Sequence, residues 1–273
     1  MKLNSIKIVL KELTTSKKGI ILYTGLMGLF YMWFVSIFDP VFFEDFEALL
    51  DSYPEAIRQM IGEYFSLSTI GGLLNIYLFS MSLFFFGIYF ILKASQDIPR
   101  EIDNKTIDLM LSKPIKRWEF SLGKYLYHIS GAIIVLGGVM LAVITGFFVM
   151  PNIILNEVPW AEFFAAFAVM ILLNLCIVTT GFFFSTFMNT KKSLVLSFGV
   201  VVFLYAIGQF WQSFGENLEG IKYFSIFYYS DMSNLLVNGN WDAVPIKIVF
   251  LSSYTIILAV ASILIFNKRD IPV

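Results

Sequence analysis

Six long apolar stretches divide this chain, and they restrict its fold more than any other feature of the sequence. They cover residues 19–38, 70–92, 125–150, 161–187, 193–213 and 245–266. A helix needs about 20 mainly apolar residues to cross the hydrocarbon layer of a membrane. Because every stretch meets that length, the sequence predicts one all-α domain over residues 1–273 with six transmembrane helices.

The composition supports a membrane protein. Hydrophobic residues make up 58% of the 273 residues and charged residues only 14%, whereas soluble domains are about 25% charged. One cysteine, Cys176, and one histidine, His128, exclude an intrachain disulfide and a Cys/His metal cluster. Residues 1–18 form a long polar leader before a span-length apolar run, so we expect no cleavable signal peptide.

The distribution of lysine and arginine predicts the orientation. Of the 19 basic residues, 16 lie in residues 2–18, 93–124, 191–192 and 268–269, which six spans place on one side. Cytoplasmic loops carry an excess of positive charge. We therefore expect both termini in the cytoplasm, in the plasma membrane of a prokaryote.

Residues 3–13 have the pattern of an amphipathic helix. At helical spacing their apolar residues form one stripe, with Ile8 as the misfit, while lysines lie outside the stripe. This pattern predicts a helix on the cytoplasmic membrane surface, and the alternative is a helix packed on a soluble partner. The residues assigned to this interfacial helix are Leu3, Ile6, Lys7, Leu10 and Lys11.

Motifs for catalysis do not occur in the sequence. It contains no phosphate-binding loop G-x-x-x-x-G-K-[ST], no G-x-S-x-G and no H-E-x-x-H, so this chain should not hydrolyse ATP or act as an enzyme. The spans hold few ionisable residues, and we interpret His128 as an interfacial anchor rather than a proton relay. Asn75, Asn174 and Gln209 are expected to form interhelical hydrogen bonds rather than to bind substrate.

The basic segment 93–124 is too long and too patterned for a passive connection. Glu101 and Lys105 are spaced i,i+4, and with Asn104 and Asp108 they fall on one face of a helical wheel. Apolar residues spread around the remaining faces. A short helix here could dock on both the bundle and a soluble partner.

The same segment resembles the signature of type 2 ABC transporter permeases, the ABC-2 exporter family. That signature has an acidic residue, Gly-Thr, a leucine-rich turn, Ser-x-Pro, an arginine and a later lysine. Lys105 departs from it, because a glycine is common at that position. The matching residues are Glu101, Thr106, Leu109, Leu111, Ser112, Pro114, Arg117 and Lys124.

The resemblance implies a set of partners and roles. A permease of this family pairs with a second permease, a copy or a paralogue, and with two ATPase subunits that hold the ATP and magnesium. It implies a coupling helix at 101–112, an interfacial helix at 3–13 that also touches the ATPase, and a partly re-entrant external segment at about 212–240. The residues assigned to ATPase coupling are Glu101, Asn104, Lys105, Thr106, Asp108, Leu111, Pro114 and Arg117.

The prediction for function is therefore the membrane subunit of an ATP-driven exporter, with membrane lipids around it and no nucleic-acid partner. The apolar spans favour an amphiphilic peptide or a lipid-like compound as substrate. One alternative is a membrane scaffold, sensor or intramembrane enzyme without transport. A secondary transporter or channel would need inverted repeats or broken, charged helices, and neither is evident.

Overall fold

Six long helices make up most of the described part of the protein. The structure, a computed structural model, describes residues 3–39, 42–45, 68–106, 115–150, 153–211 and 216–269, and no strand occurs among them. All six helices are long and apolar enough to cross a membrane, which confirms the predicted class. They are α1 (Leu3–Ser36), α2 (Ile70–Asp103), α3 (Arg117–Val149), α4 (Trp160–Ser185), α5 (Thr190–Phe210) and α6 (Val244–Lys268).

Several helices extend well beyond the apolar stretches from which they are predicted. The amphipathic segment 3–13 and the first span are one continuous helix, α1, rather than two elements. Likewise α2 continues through Pro99 to Asp103, and α3 begins at Arg117. Hydropathy identifies only the part of a helix that contacts lipid. The helical backbone hydrogen bonds can continue beyond that part, through residues with polar side chains.

Both described ends of the chain lie at the same end of the bundle. Ser5 Oγ donates to the Glu119 carbonyl at 2.9 Å, which joins the start of α1 to the start of α3. Arg117 Nη1 donates to the Arg269 carbonyl at 2.6 Å, which adds the end of α6. We call this the basal end; it comprises residues 3–16, 93–106, 115–128, 186–193 and 266–269, and the opposite end is the distal end.

Small residues allow α1 and α3 to pack closely along most of their length. Gly123 lies against Ile8, and Gly138 lies against Thr24, so close that neither position leaves room for a Cβ atom. In lipid the hydrophobic effect does not drive helices together, so membrane helices associate through close van der Waals packing of this kind.

The core lies between α2, α3 and α4. Phe163, Phe167 and Ile177 of α4 are fully buried, as is Phe86 of α2. By contrast α1, α5 and α6 present large apolar side chains outward, among them Leu22, Val195 and Ile257. Continuous apolar faces of this size suit a lipid environment.

The segment after α5 folds back against the helices at the distal end. It contains a 3₁₀ helix, Glu216–Phe224, and two short α-helices, Ile226–Ser230 and Ser233–Asn238. Ser225 Oγ donates to the Leu204 carbonyl at 2.6 Å, and the Leu236 carbonyl lies directly against Gly71. The predicted segment 212–240 is thus packed on the bundle from residue 220 onward, and its depth in the membrane stays a prediction.

Candidate functional site at the basal end

A buried lysine organises the basal end. The Lys124 side chain is 1% exposed, and its ammonium lies 3.1 Å from Glu12 Oε1, 3.2 Å from Asp97 Oδ1 and 2.5 Å from Glu101 Oε1. Burying an unpaired charge is very costly, so a buried ammonium needs such partners. The lysine thereby connects three helices, because Glu12 belongs to α1, Asp97 and Glu101 to α2, and Lys124 itself to α3.

Helical spacing brings these groups together. Asp97 and Glu101 are four residues apart on α2, as are Lys124 and His128 on α3, so each pair shares a helix face. His128 Nε2 lies 2.9 Å from Asp97 Oδ2, and Asp97 thus joins both basic side chains. The prediction that His128 is an interfacial anchor misses this pairing, because the spacing within one helix does not show which residues face it from another.

The cluster carries more negative than positive groups. Three carboxylates face one ammonium, and the buried Oε2 of Glu101 has no hydrogen-bond partner among the described residues. No group of three His, Cys, Asp or Glu side chains in the described part of the chain could hold a metal ion. The arrangement is therefore an ion-pair junction between helices.

The structure describes part of the predicted coupling segment, and the coupling role of its residues stays a prediction. Glu101 points inward to Lys124 rather than outward to a partner. A single helix over 101–112 is wrong, because α2 ends at Asp103 and the next residues form a turn. Thr106 closes that turn through its backbone N–H, which donates to the Glu101 carbonyl at 2.9 Å. Asp108, Leu111 and Pro114 lie outside the described residues.

The turn explains the glycine that is common in the family signature. Lys105 has φ +56°, a left-handed conformation that glycine adopts at no cost and that strains other residues. Asn104 and Lys105 are both exposed at this turn. They remain available to a partner, as the prediction requires.

Arg117 also faces the bundle. Its guanidinium donates to the Arg269 carbonyl, and Arg269 Nη1 in turn donates to the Thr186 carbonyl at 2.9 Å. The first contact joins α3 to the end of α6, and the second joins α6 to the end of α4. Arg117 is therefore a link between helices in this structure, and its assignment to ATPase coupling stays a prediction.

A proline in α2 creates the contact with α5. Pro99 has no N–H, so the Ser95 carbonyl loses its helical donor. Ser193 Oγ of α5 donates to that carbonyl at 2.6 Å, and both side chains are buried. Nearby, Thr190 Oγ1 donates to Asp103 Oδ2 at 2.6 Å.

Together with the short chain connection from α4 to α5, these contacts run around the basal end, and we call them the basal ring. It joins α1 to α3, α3 to α2, α2 to α5, α3 to α6 and α6 to the end of α4. The two ends of segment 104–116, at Asp103 and Arg117, both belong to it. The residues of the ring are Glu12, Ser95, Asp97, Glu101, Asp103, Arg117, Lys124, His128, Thr186, Thr190, Ser193 and Arg269.

Two residues of the apolar stripe at the start of α1 face away from the protein, whereas Leu13 packs against the core. Ile6 is 54% and Leu10 58% exposed, and Lys7 and Lys11 are exposed beside them, after Leu3 begins the helix. Ile8, the misfit in the stripe, is instead the residue that packs on Gly123. Outward apolar residues flanked by lysines form the surface that a membrane interface favours.

Neutral polar residues join helices inside the bundle. Asn174 Nδ2 of α4 donates to Ser82 Oγ of α2 at 2.8 Å, as predicted for interhelical bonding. Asn75 is buried, and Gln209 is exposed at the distal end of α5.

Comparison with known families identifies the family of the chain. A family model described as ABC-2 family transporter protein matches residues 6–271. Because the match covers nearly the whole sequence, the chain belongs to the ABC-2 transporter family, the membrane component of ABC transporters that associates with ABC ATPase partners. No curated protein matches the chain.

Proposed function

We propose that this chain is the membrane-spanning subunit of an ATP-driven exporter that works as a dimer with two separately encoded ATPase subunits. The second permease is another copy of the chain or a paralogue. The basal ring carries the proposal, because it joins the ends of all six helices to both ends of segment 104–116. A force applied to that segment would reach every helix through short polar contacts.

The basal end is the side on which the ATPases dock in this proposal. It contains the four basic segments that predict a cytoplasmic location, and the membrane is a prokaryotic plasma membrane. Asn104, Lys105 and Thr106 are exposed between the ends of α2 and α3. Ile6 and Leu10 contact the inner leaflet beside them.

The mechanical step follows from the ion pairs. When the ATPases bind ATP and close, they push on segment 104–116 and hence on the last turn of α2. Glu101 and Lys124 are in contact at 2.5 Å, so α2 and α3 tilt together, and Glu12 moves α1 with them. The tilt opens the dimer cavity outward, while ATP and magnesium stay on the ATPases.

The burial pattern favours an amphiphilic substrate, such as a peptide or a lipid-like compound. Among the described residues, the buried lysine and glutamate side chains are Glu119 and Lys124 at the basal end and Lys222 at the distal end. The middle of the bundle therefore holds no buried charge in that part of the chain. Pathways for ions usually require one.

Site-directed photocross-linking tests the docking side. A photoreactive amino acid replaces Asn104 in the tagged chain, expressed in cells and extracted in mild detergent. We expect a covalent adduct with an ATPase subunit, because Asn104 lies at the exposed turn of the basal end. Asn240 is the matched control, since it is also an exposed asparagine but lies at the distal end.

Two results would contradict the proposal. One is an Asn104 adduct with lipid alone, and the other is equal capture of the ATPase from Asn104 and Asn240. Capture from Asn104 only, together with stimulated ATP hydrolysis by the complex in lipid nanodiscs, is the expected result.

A further inference from the structure

The middle of α2 is not a regular α-helix. It starts as an α-helix over Ile70–Leu74, continues as a π-helix over Asn75–Ser80, and forms a second π-helix over Leu83–Gly87 before the α-helix resumes at Ile88. Met81, between the two, has φ −85° and ψ 2°. The other five long helices are α-helical throughout their bounds. A π turn is rare, and it occurs most often at functional positions.

The local sequence does not impose this irregularity. No proline occurs between residues 70 and 92, and the glycine pair Gly71–Gly72 lies in the regular α-helical turn before the π segments. Proline, glycine pairs or an inserted side chain usually cause a break in a helix. The break in α2 is therefore held by contacts from neighbouring helices.

Those contacts come from two neighbouring helices, α1 and α4. From α1, the Tyr23 hydroxyl donates to the Phe85 carbonyl, and the Tyr31 ring stacks on Phe86 at 5.8 Å between centroids. From α4, Asn174 donates to Ser82, whose side chain is fully buried at the break.

Both ends of α2 are fixed as well. At the distal end, Gly71 lies so close to the Leu236 carbonyl that no Cβ would fit. At the basal end, Asp97, Glu101 and Asp103 are held in the basal ring. A helix fixed at both ends and irregular between them must take up any displacement in its irregular part.

We propose that residues 75–87 of α2 form a hinge in which a spare residue moves along the helix when the basal ring shifts. A π turn closes over five residues where an α turn closes over four, so each π segment holds one residue more. Moving that residue past Met81 and Ser82 rotates them by about 100° and shifts them by about 1.5 Å. The two ends of α2 keep their contacts.

The hinge rests on the proposed function only for the force that moves the basal ring. Its consequence is a change in the side chains that the middle of α2 presents outward. Met81 and Phe84 are exposed there, and the Phe84 ring meets Tyr205 of α5 at 5.5 Å. Rotation at the break would replace this contact with α5.

Deleting a single residue tests the spare residue directly. Deleting Phe84 should let the second π segment wind as an α-helix while both ends of α2 keep their register. We expect the variant to insert, to purify as a monodisperse protein and to unfold near the wild-type temperature. Deleting Leu141 of α3 is the matched control, because it removes an exposed apolar residue from a regular span and should prevent folding. Failure of the Phe84 deletion to fold, as in the control, would overturn the hinge.

Two functional readouts complete the test. The Phe84 deletion should lose stimulation of the ATPase subunit in nanodiscs, whereas Phe84→Ala, which keeps the residue count, should retain it. In the chain alone, amide hydrogen exchange over 75–87 should be faster than in the middle of α3 and slower after the deletion. Full stimulation by the deletion variant, or exchange equal to that of α3, overturns the proposal. If the wild-type chain stimulates no ATPase, the proposed function fails, and the exchange measurement still decides the hinge.

Discussion

Lys124 shows how a single residue can unite a membrane bundle. Its ammonium contacts carboxylates from two other helices, and its side chain is almost fully buried. A buried ion pair adds little net stability over apolar packing, but breaking one side of it is costly. The residue therefore specifies which helices meet and in what register.

Replacing Lys124 by Met should destabilise the protein by about 3–5 kcal/mol, because three carboxylates then lose the ammonium, although Asp97 keeps another partner, His128. Thermal unfolding in detergent measures the loss. Lys93→Met is the control, since Lys93 is exposed and its loss should cost under about 0.5 kcal/mol. Adding Glu101→Gln to Lys124→Met should recover part of the loss, and equal stability of the Lys124 and Lys93 variants would contradict the junction.

Ser193→Ala should destabilise the protein by about 1–3 kcal/mol, because it leaves the buried Ser95 carbonyl without a donor. Pro99→Ala restores a backbone N–H to that carbonyl, so the double variant should regain most of the stability. Unfolding temperatures of the two single variants and the double variant form the test. Additive losses would show that Ser193 and Pro99 are unconnected.

Lys105→Gly should stabilise the turn after α2 by up to about 1 kcal/mol, because glycine carries no strain at φ +56°. Asn104→Gly is the control, since Asn104 has φ −84° and gains nothing from glycine. Chemical denaturation of both variants compares them. If Asn104→Gly raises the free energy of unfolding and Lys105→Gly does not, Lys105 is not the residue with the left-handed conformation.

At the scale of elements, the contact between α1 and α3 depends on glycines placed at particular points. A Cβ added at Gly123 would lie 2.9 Å from Ile8 Cβ and 3.1 Å from the Ser5 carbonyl oxygen. A Cβ at Gly137, on the same helix, meets nothing within 4 Å. The first glycine is needed for packing, and the second is not.

Gly123→Ala should therefore push the start of α1 away from α3 and lower the unfolding temperature. Gly137→Ala should leave it unchanged or raise it, because alanine is about 1 kcal/mol better than glycine within a helix. Differential scanning fluorimetry of both variants measures the difference. If Gly123→Ala is the more stable of the two, the close contact is wrong.

Helix limits show why elements are only partly predictable. The apolar pattern locates all six helices, but it misses the continuation of α1 and α2 beyond their apolar parts and the end of α2 at Asp103. A helical wheel assumes an unbroken helix, so it placed Glu101 and Asp108 on one face across a turn that ends it. The π segments leave no trace in the pattern, because contacts from α1 and α4 produce them.

At the scale of the whole molecule, the orientation is directly testable. With Cys176 buried, single cysteines at Lys7, Asn267 and Asn240 report the side of each end. A membrane-impermeant maleimide should label Asn240→Cys in intact cells, and Lys7→Cys and Asn267→Cys only in inverted vesicles, because positive loops stay inside. Labelling of Lys7→Cys in intact cells would reverse the orientation.

The sequence by itself determined the membrane class, the number of helices and the family, because length, hydropathy and a local signature carry that information. It also identified Glu101, Arg117 and Lys124 as notable residues. Only the tertiary structure decided which residues they contact and that His128 pairs with Asp97. It also decided that Ser193 donates a hydrogen bond to the Ser95 carbonyl, which has no helical donor because of Pro99. Each of these contacts joins separate helices, and their geometry depends on how the helices pack rather than on spacing along the chain.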